Sequence, residues 1–186
     1  MIGYAFCGSF CTLRASLSAM QELVAAGEEI RPIISYNVKS TDTRFYRAED
    51  FCRDLTEAAG RPIIDTITDA EPLGPREPLE LLIIAPCTGN TLAKLAHGIT
   101  DTPVTMAAKA HLRAERPLLI AAATNDALSA NLESIARLSM RKGIYFVPLR
   151  QDDPEKKPFS LVADFGRIPE ALAAARRGHQ LRPLFI

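Results

Sequence analysis

Short apolar runs alternate along this chain with longer stretches in which apolar positions recur every three or four residues. Residues 2–7 are the first apolar run, closed by Gly8-Ser9. Leu13, Leu17, Met20 and Val24 then fall on one helical face that ends at Gly27. Residues 30–35 predict a second strand, interrupted early by Pro32, and residues 47–59 a helix stopped by Gly60. Residues 63–67 read as a short extra strand. Pro72, Gly74, Pro75 and Pro78 make a turn-rich approach to residues 79–85, the most apolar run of all. That run shows no polar alternation, as expected of a central strand buried on both faces, and residues 118–123 share the pattern. Helices over 91–97 and 104–113 lie between these two strands. Leu128, Leu132, Ile135 and Leu138 form the next helical stripe, 144–147 the last strand, and Ile168, Leu172 and Ala175 a closing helix.

Strands alternating with helices predict an α/β fold: a doubly wound parallel sheet, Rossmann-like, in one three-layer domain spanning residues 1–186. No internal repeat or linker divides the chain. In such sheets ligands bind outside the carboxyl ends of the strands. The residues just after each strand are therefore the candidates for function.

Composition narrows the classes. The 22 basic and 22 acidic side chains of this 186-residue chain cancel. That argues against nucleic acid or an anionic membrane as a partner held by bulk charge. No apolar run reaches the roughly 18 residues of a membrane span. The chain opens on a strand pattern without a basic leader, so a cytoplasmic location is expected, with Cys7, Cys11, Cys52 and Cys87 reduced. Cys7 and Cys11 are a single close pair with no second pair or histidine cluster, so no metal site is expected. Cys7, Cys11 and Cys87 read as small buried packing residues.

Two strand ends carry candidate chemistry. Gly8-Ser9 offers close backbone approach, a hydroxyl and a helix start, which together suit a phosphate; a tight turn with Ser9 as helix cap is the simpler alternative. The Walker lysine and the G-x-G-x-x-G fingerprint are both missing. Pro86-Cys87-Thr88-Gly89-Asn90-Thr91 ends the most apolar strand and opens a helix. Its hydroxyls and amide suit a planar heteroaromatic ligand with ring nitrogen and oxygen atoms. Thr124-Asn125-Asp126 brings polar groups to the same edge: Asn125 could hold a carboxylate, Asp126 could act as a base, and Ser129 could cap the helix that follows. Residues 151–158 form a charged, proline-bearing loop, either solvent-facing or a lid carrying Lys156 and Lys157. No G-x-S-x-G accompanies the scattered His97, His111 and His179, so a hydrolase is disfavoured.

Gly8-Ser9, Ser35 after the second strand, and Pro86-Cys87-Thr88-Gly89-Asn90-Thr91 together resemble the flavin-binding, cysteine-decarboxylase-like flavoprotein family. The last segment is similar to that family's Pro-Ala-Ser-Ala-Asn-Thr motif, and the stretch from Asn90 through Thr100-Asp101 extends the match. The resemblance implies FMN, with Gly8, Ser9, Phe10, Ser35, Thr88, Gly89, Asn90, Thr91 and Ala123 as the residues that bind it. It also implies a homo-oligomer, a trimer or multiple of trimers. Segments around 38–45, 70–75, 107–109, 124–128 and 151–154 resemble one branch in particular, the flavoprotein-like subunits of a sporulation oxidoreductase. That branch implies a dihydropyridine dicarboxylate as substrate and a second, different chain that binds NAD or NADP. Asn125, Lys109, Lys157 and Arg44 are the candidates to hold the two carboxylates.

Departures from the wider family leave two other readings open. The histidine that cysteine decarboxylases carry before the central strand is absent from residues 71–80. Their Pro-x-Met-Asn motif appears as Ala122-Ala123-Thr124-Asn125, and the arginine that flavin prenyltransferases place near Ala123 is missing. A scaffold protein with a vestigial flavin pocket would fit these losses. So would an FMN-dependent decarboxylase acting on another substrate.

Overall fold

The computed structural model describes residues 1–74 and 76–186. Pro75 of the turn-rich approach lies outside the described residues. The first half contains β1 (Ile2–Phe6), α1 (Leu13–Ala25), β2 (Ile30–Ile34), α2 (Tyr36–Ser40), α3 (Ala48–Ala59) and α4 (Ile67–Ala70). The second contains β3 (Leu81–Cys87), α5 (Gly89–His97), α6 (Pro103–Leu112), β4 (Leu118–Thr124), α7 (Leu132–Ser139), β5 (Ile144–Phe146), β6 (Leu149–Arg150), β7 (Leu161–Ala163) and α8 (Ile168–Arg176).

The sheet runs β2-β1-β3-β4 with all pairings parallel. Every residue of β1 and β3 is buried, which accounts for their lack of alternation. Helices α1, α3 and α8 cover one face; α5, α6 and α7 cover the other. From β1 the chain goes to β2 on one side and later to β3 on the other. The switch point of this doubly wound sheet therefore lies between β1 and β3, and a crevice opens there at the carboxyl edge. A buried relay ties β1, α1 and β3 together behind it. The Tyr4 hydroxyl donates to the Ser16 carbonyl at 3.0 Å, and the Ser16 hydroxyl donates to the Ala85 carbonyl at 2.6 Å.

The structure departs from the sequence pattern in three places. Residues 63–67 form no strand: Ile64 makes one isolated parallel bridge to Ile33. Thr66 then caps α4, accepting from the Asp69 N–H at 3.1 Å, and so ends any extended run. Residues 144–147 do not contain the last strand. β6 and β7 follow as an antiparallel pair, and β7 joins β4 antiparallel at Ala123 and Thr124. β4 is thus shared, with β5 parallel along its first half. Finally, α7 begins only at Leu132, and Leu128 lies in the turns before it. Ser129 does not cap that helix: its hydroxyl donates to the Asp126 carbonyl at 3.2 Å, and Asn131 occupies the cap position.

Candidate functional site

A cavity of about 820 Å³ opens at the carboxyl edge, within the usual range for small-molecule sites. Its walls come from the ends of β1 (Gly8 to Thr12), β3 (Thr88 to Asn90) and β4 (Ala123 to Asp126), from Arg44 and Phe45, and from the β6–β7 hairpin.

At the end of β1 the chain makes a 3-10 turn over Phe10–Thr12 before α1. Ser9 makes no capping bond; instead its hydroxyl oxygen accepts from the Thr12 hydroxyl at 3.0 Å. Ser9 itself lines the cavity. At the end of β2, the Ser35 N–H donates to the Phe6 carbonyl at 3.0 Å, which fixes the strand end beside β1. The Ser35 hydroxyl is buried with no partner, and Ser35, expected among the FMN residues, does not line the cavity.

At the end of β3, Thr88 caps α5 and accepts from the Thr91 N–H at 3.3 Å. Thr91 points away from the cavity. Its hydroxyl meets Thr88 Oγ1 at 3.1 Å and donates to Cys7 Sγ at 3.3 Å, so it braces the loop rather than lining the site. Burial pushes the Cys7 thiol up to about 11, and the buried Cys87 thiol rises well above its ordinary value for the same reason. Neither is a ready nucleophile. Cys11 departs from the expectation of burial: it is exposed and lines the cavity.

Asp126 organises the third wall. Its carboxylate accepts from the Thr124 hydroxyl at 2.5 Å and from Asn131 Nδ2 at 2.9 Å. Its carbonyl accepts from the Ser129 and Asn131 N–H groups, each at 3.1 Å. The turn so formed holds Asn125 on the cavity wall and leaves Asp126 engaged rather than free as a base. The whole cluster packs on Gly89. A Cβ there would lie 2.5 Å from Asn131 Nδ2, 2.7 Å from Thr124 Oγ1 and 2.8 Å from Asp126 Oδ1. Only glycine permits that approach.

Of the four candidate substrate ligands, the structure brings Asn125, Arg44 and Lys157 together on the cavity wall. Arg44 sits in a turn fixed by Thr43, which exchanges hydrogen bonds with Tyr46, and its guanidinium lies 4.7 Å from the Phe45 ring centroid. It forms no ion pair among the described residues. Lys157 is 2.7 Å from Asp152, and that contact raises the lysine and lowers the aspartate from their ordinary values. Lys109 is not part of this site: it lies on α6 and lines a separate hollow. Lys156 does not line the cavity. Loop 151–158 is folded on itself, with Gln151 Nε2 donating to the Pro158 carbonyl at 2.9 Å, and contributes only Asp152 and Lys157 to the wall. Among the described residues there is no cluster of potential metal ligands.

Cys11, Phe45, Ser160, Leu161 and Val162 complete the walls. A three-residue apolar run after Ser160 was the only sequence signal for the last group.

A mostly parallel α/β sheet with its cavity at the switch point, walled by glycine, hydroxyl and amide groups, defines a fold of the nucleotide-binding and flavin-binding type. The Flavoprotein family model matches residues 2–170, and the chain belongs to that family. It is 44% identical over 185 residues to the B subunit of dipicolinate synthase from Bacillus subtilis (strain 168), covering 100% of this chain and 92% of that protein. The crystal structure of the dipicolinate synthase B subunit from Bacillus halodurans C superposes with a TM-score of 0.91 at 42% identity, covering 100% of this chain and 95% of that one. A dodecameric FMN-dependent UbiX-like decarboxylase from Escherichia coli O157:H7 superposes with a TM-score of 0.65 at 25% identity, covering 80% of each chain.

Proposed function

We propose that this chain is the flavin-binding B subunit of a dipicolinate synthase, acting in the cytoplasm during sporulation. The enzyme's other component, the A subunit of dipicolinate synthase, carries the nicotinamide cofactor, NAD or NADP. The reaction removes from dihydrodipicolinate a hydride, which ends on the oxidised nicotinamide, and a proton, which goes to solvent, and leaves aromatic dipicolinate, pyridine-2,6-dicarboxylate. The observation that carries the reading is the cavity at the switch point, where three strand ends present glycine, hydroxyl and amide groups.

The residues present fit FMN. The buried Ser35 hydroxyl lacks a partner, and the Ser9 hydroxyl, which caps no helix, lies on the cavity wall. Ser9, on the cavity wall before α1, is a donor of the kind a phosphate needs; Ser35, at the cap position of α2, is an unsatisfied donor behind that wall. Thr88, Gly89 and Asn90 would border the ring system, and Ala123 leaves room beside it. Bound there, FMN supplies two-electron redox chemistry that no side chain can. Arg44 and the Asn125 amide would hold the substrate carboxylates, and Lys157 would add a cation already shared with Asp152. The dodecameric relative supports a homo-oligomer, a trimer or multiple of trimers, for this chain as well.

A specific observation favours a second reading, a binding component without chemistry of its own. Among the described residues no histidine lines the cavity, and both aspartates there, Asp126 and Asp152, are already bonded. A decarboxylase would lack its proton donor for the same reason.

The test is the visible spectrum of purified protein, before and after FMN is added. Bands near ~370 and ~450 nm, as expected of an oxidised flavin cofactor, weakened by Asn90→Ala, support the proposal. No bands and no perturbation of added FMN would leave the chain as a scaffold for its nicotinamide-binding partner.

A further inference from the structure

A second hollow, of about 330 Å³, lies on the other edge of the molecule. It sits between the end of α5, the outer face of α6 and Arg141, where the chain leads into β4 and β5 at their amino ends. Leu95 and Leu112 form an apolar floor, and Ile99, 47% exposed, forms one wall. Three cations ring it: Lys109 on α6, Arg113 at the C-cap of that helix four residues on, and Arg141. None of the three pairs with a carboxylate among the described residues, and no acidic side chain lines the hollow.

Helix ends do not account for that charge. Arg141 donates to the Leu95 carbonyl at 3.4 Å and so serves the end of α5. A helix carboxyl end carries about half a negative charge. Even if the ends of α5, α6 and α7 all contribute, three cations leave a surplus of more than one positive charge. Lys109, in the last turn of α6, and Arg113, its C-cap, offset part of that helix end's charge, but they repel each other at this spacing. All three cations are exposed, and their surplus charge is free to meet an anion. The apolar floor asks for more than an inorganic ion, and the volume admits only a small molecule.

We propose that this hollow is a second anion site, which takes a small organic dianion with a flat apolar body, of the aromatic dicarboxylate class. The class, though not the anion preference, rests on the functional reading above, because the product of that reaction is such a molecule. A site remote from the chemistry that binds product is suited to feedback.

The test is calorimetric titration of the full chain with pyridine-2,6-dicarboxylate in metal-free buffer, repeated with inorganic phosphate. Arg113→Glu and Ile99→Asp are the probing variants; both positions are exposed, so the fold is kept. Arg44→Ala reports on the first cavity. The expected result is a binding event weakened at least tenfold by Arg113→Glu, weakened by Ile99→Asp, and unchanged by Arg44→Ala. Titrations that show no such event, or one indifferent to Arg113→Glu, overturn the proposal. Phosphate binding as tightly, with Ile99→Asp silent, overturns the aromatic class. Failure of the functional reading shows elsewhere, as missing flavin bands with this event intact.

Discussion

Replacing Gly89 by alanine sets two effects of opposite sign against each other. Gly89 is the first residue of α5, where alanine ordinarily gains up to ~1 kcal/mol over glycine. The added methyl carbon would sit 2.5 to 2.8 Å from three polar atoms of the Thr124-Asp126-Asn131 cluster. Contacts that short force displacement, and overpacking of this kind costs about 1–3 kcal/mol. The atoms displaced are also those that hold the Asp126 carboxylate, and hydrogen bonds to a charged group contribute about 1.5–3 kcal/mol. The methyl therefore wins. Net destabilisation should be about 2 kcal/mol, which for a chain of this size lowers Tm by about 4–8 °C. Thermal unfolding followed by circular dichroism measures it. FMN affinity should fall in parallel, because Gly89 and its neighbours Thr88 and Asn90 border the proposed ring site and move with the cluster. A Gly89→Ala protein as stable as the parent, or more stable, would refute the packing argument, since helix propensity would then be the larger effect.

Two further outcomes follow from burial. His111 is fully buried with Nε2 2.8 Å from the Pro117 carbonyl and Nδ1 unpartnered; desolvation, aided by nearby Arg116 and opposed by that carbonyl, lowers it below its ordinary value. The unfolded chain then binds the proton more readily, so stability is full above the ordinary histidine range near ~6.5 and falls as pH drops below it. Urea midpoints should decline from pH 7.5 to 5.0 in the parent and decline less in His111→Gln; equal slopes would rule His111 out as the cause. Among the thiols, Cys11 should react first with a disulfide reagent in native buffer, while Cys7 and Cys87 wait for unfolding. Labelling of Cys7 or Cys87 at the rate of Cys11 would contradict their burial.

Most of the core sheet was legible because its strands are buried on both faces and carry no competing signal. The pairs Gly8-Ser9 and Thr88–Thr91 were legible as a site for a related reason, since polar residues have no other business at the end of a fully apolar strand. What escaped the sequence pattern depends on tertiary partners. The β6 and β7 strands, of two and three residues, are too short for periodicity and exist only because β4 offers them an edge. Residues 63–67 carry strand-like side chains, yet Thr66 finds a cap and the run ends. Lys109 was drawn to the site by chemistry alone. Its helical face, shared with Thr105 and Arg113, turns it toward the other hollow. Cys11 looked like a core residue by type, and only the 3-10 turn after β1 puts it outside.

The position of β1 between β2 and β3 also governs the order in which the molecule can assemble. β1 and β2 are close in sequence and can pair early, but the other edge of β1 waits for a strand about eighty residues downstream, since Ile2 pairs with Leu81. Until that strand inserts, β1 offers bare N–H and C=O groups to any extended chain, its own or a stranger's. Such long-range parallel pairing is slow, because loop closure must precede any reward. Ligand binding comes later still. The walls at Gly8, Thr88 and Thr124 meet only after the insertion is complete, so a ligand of this cavity can hold the finished sheet but cannot guide its assembly.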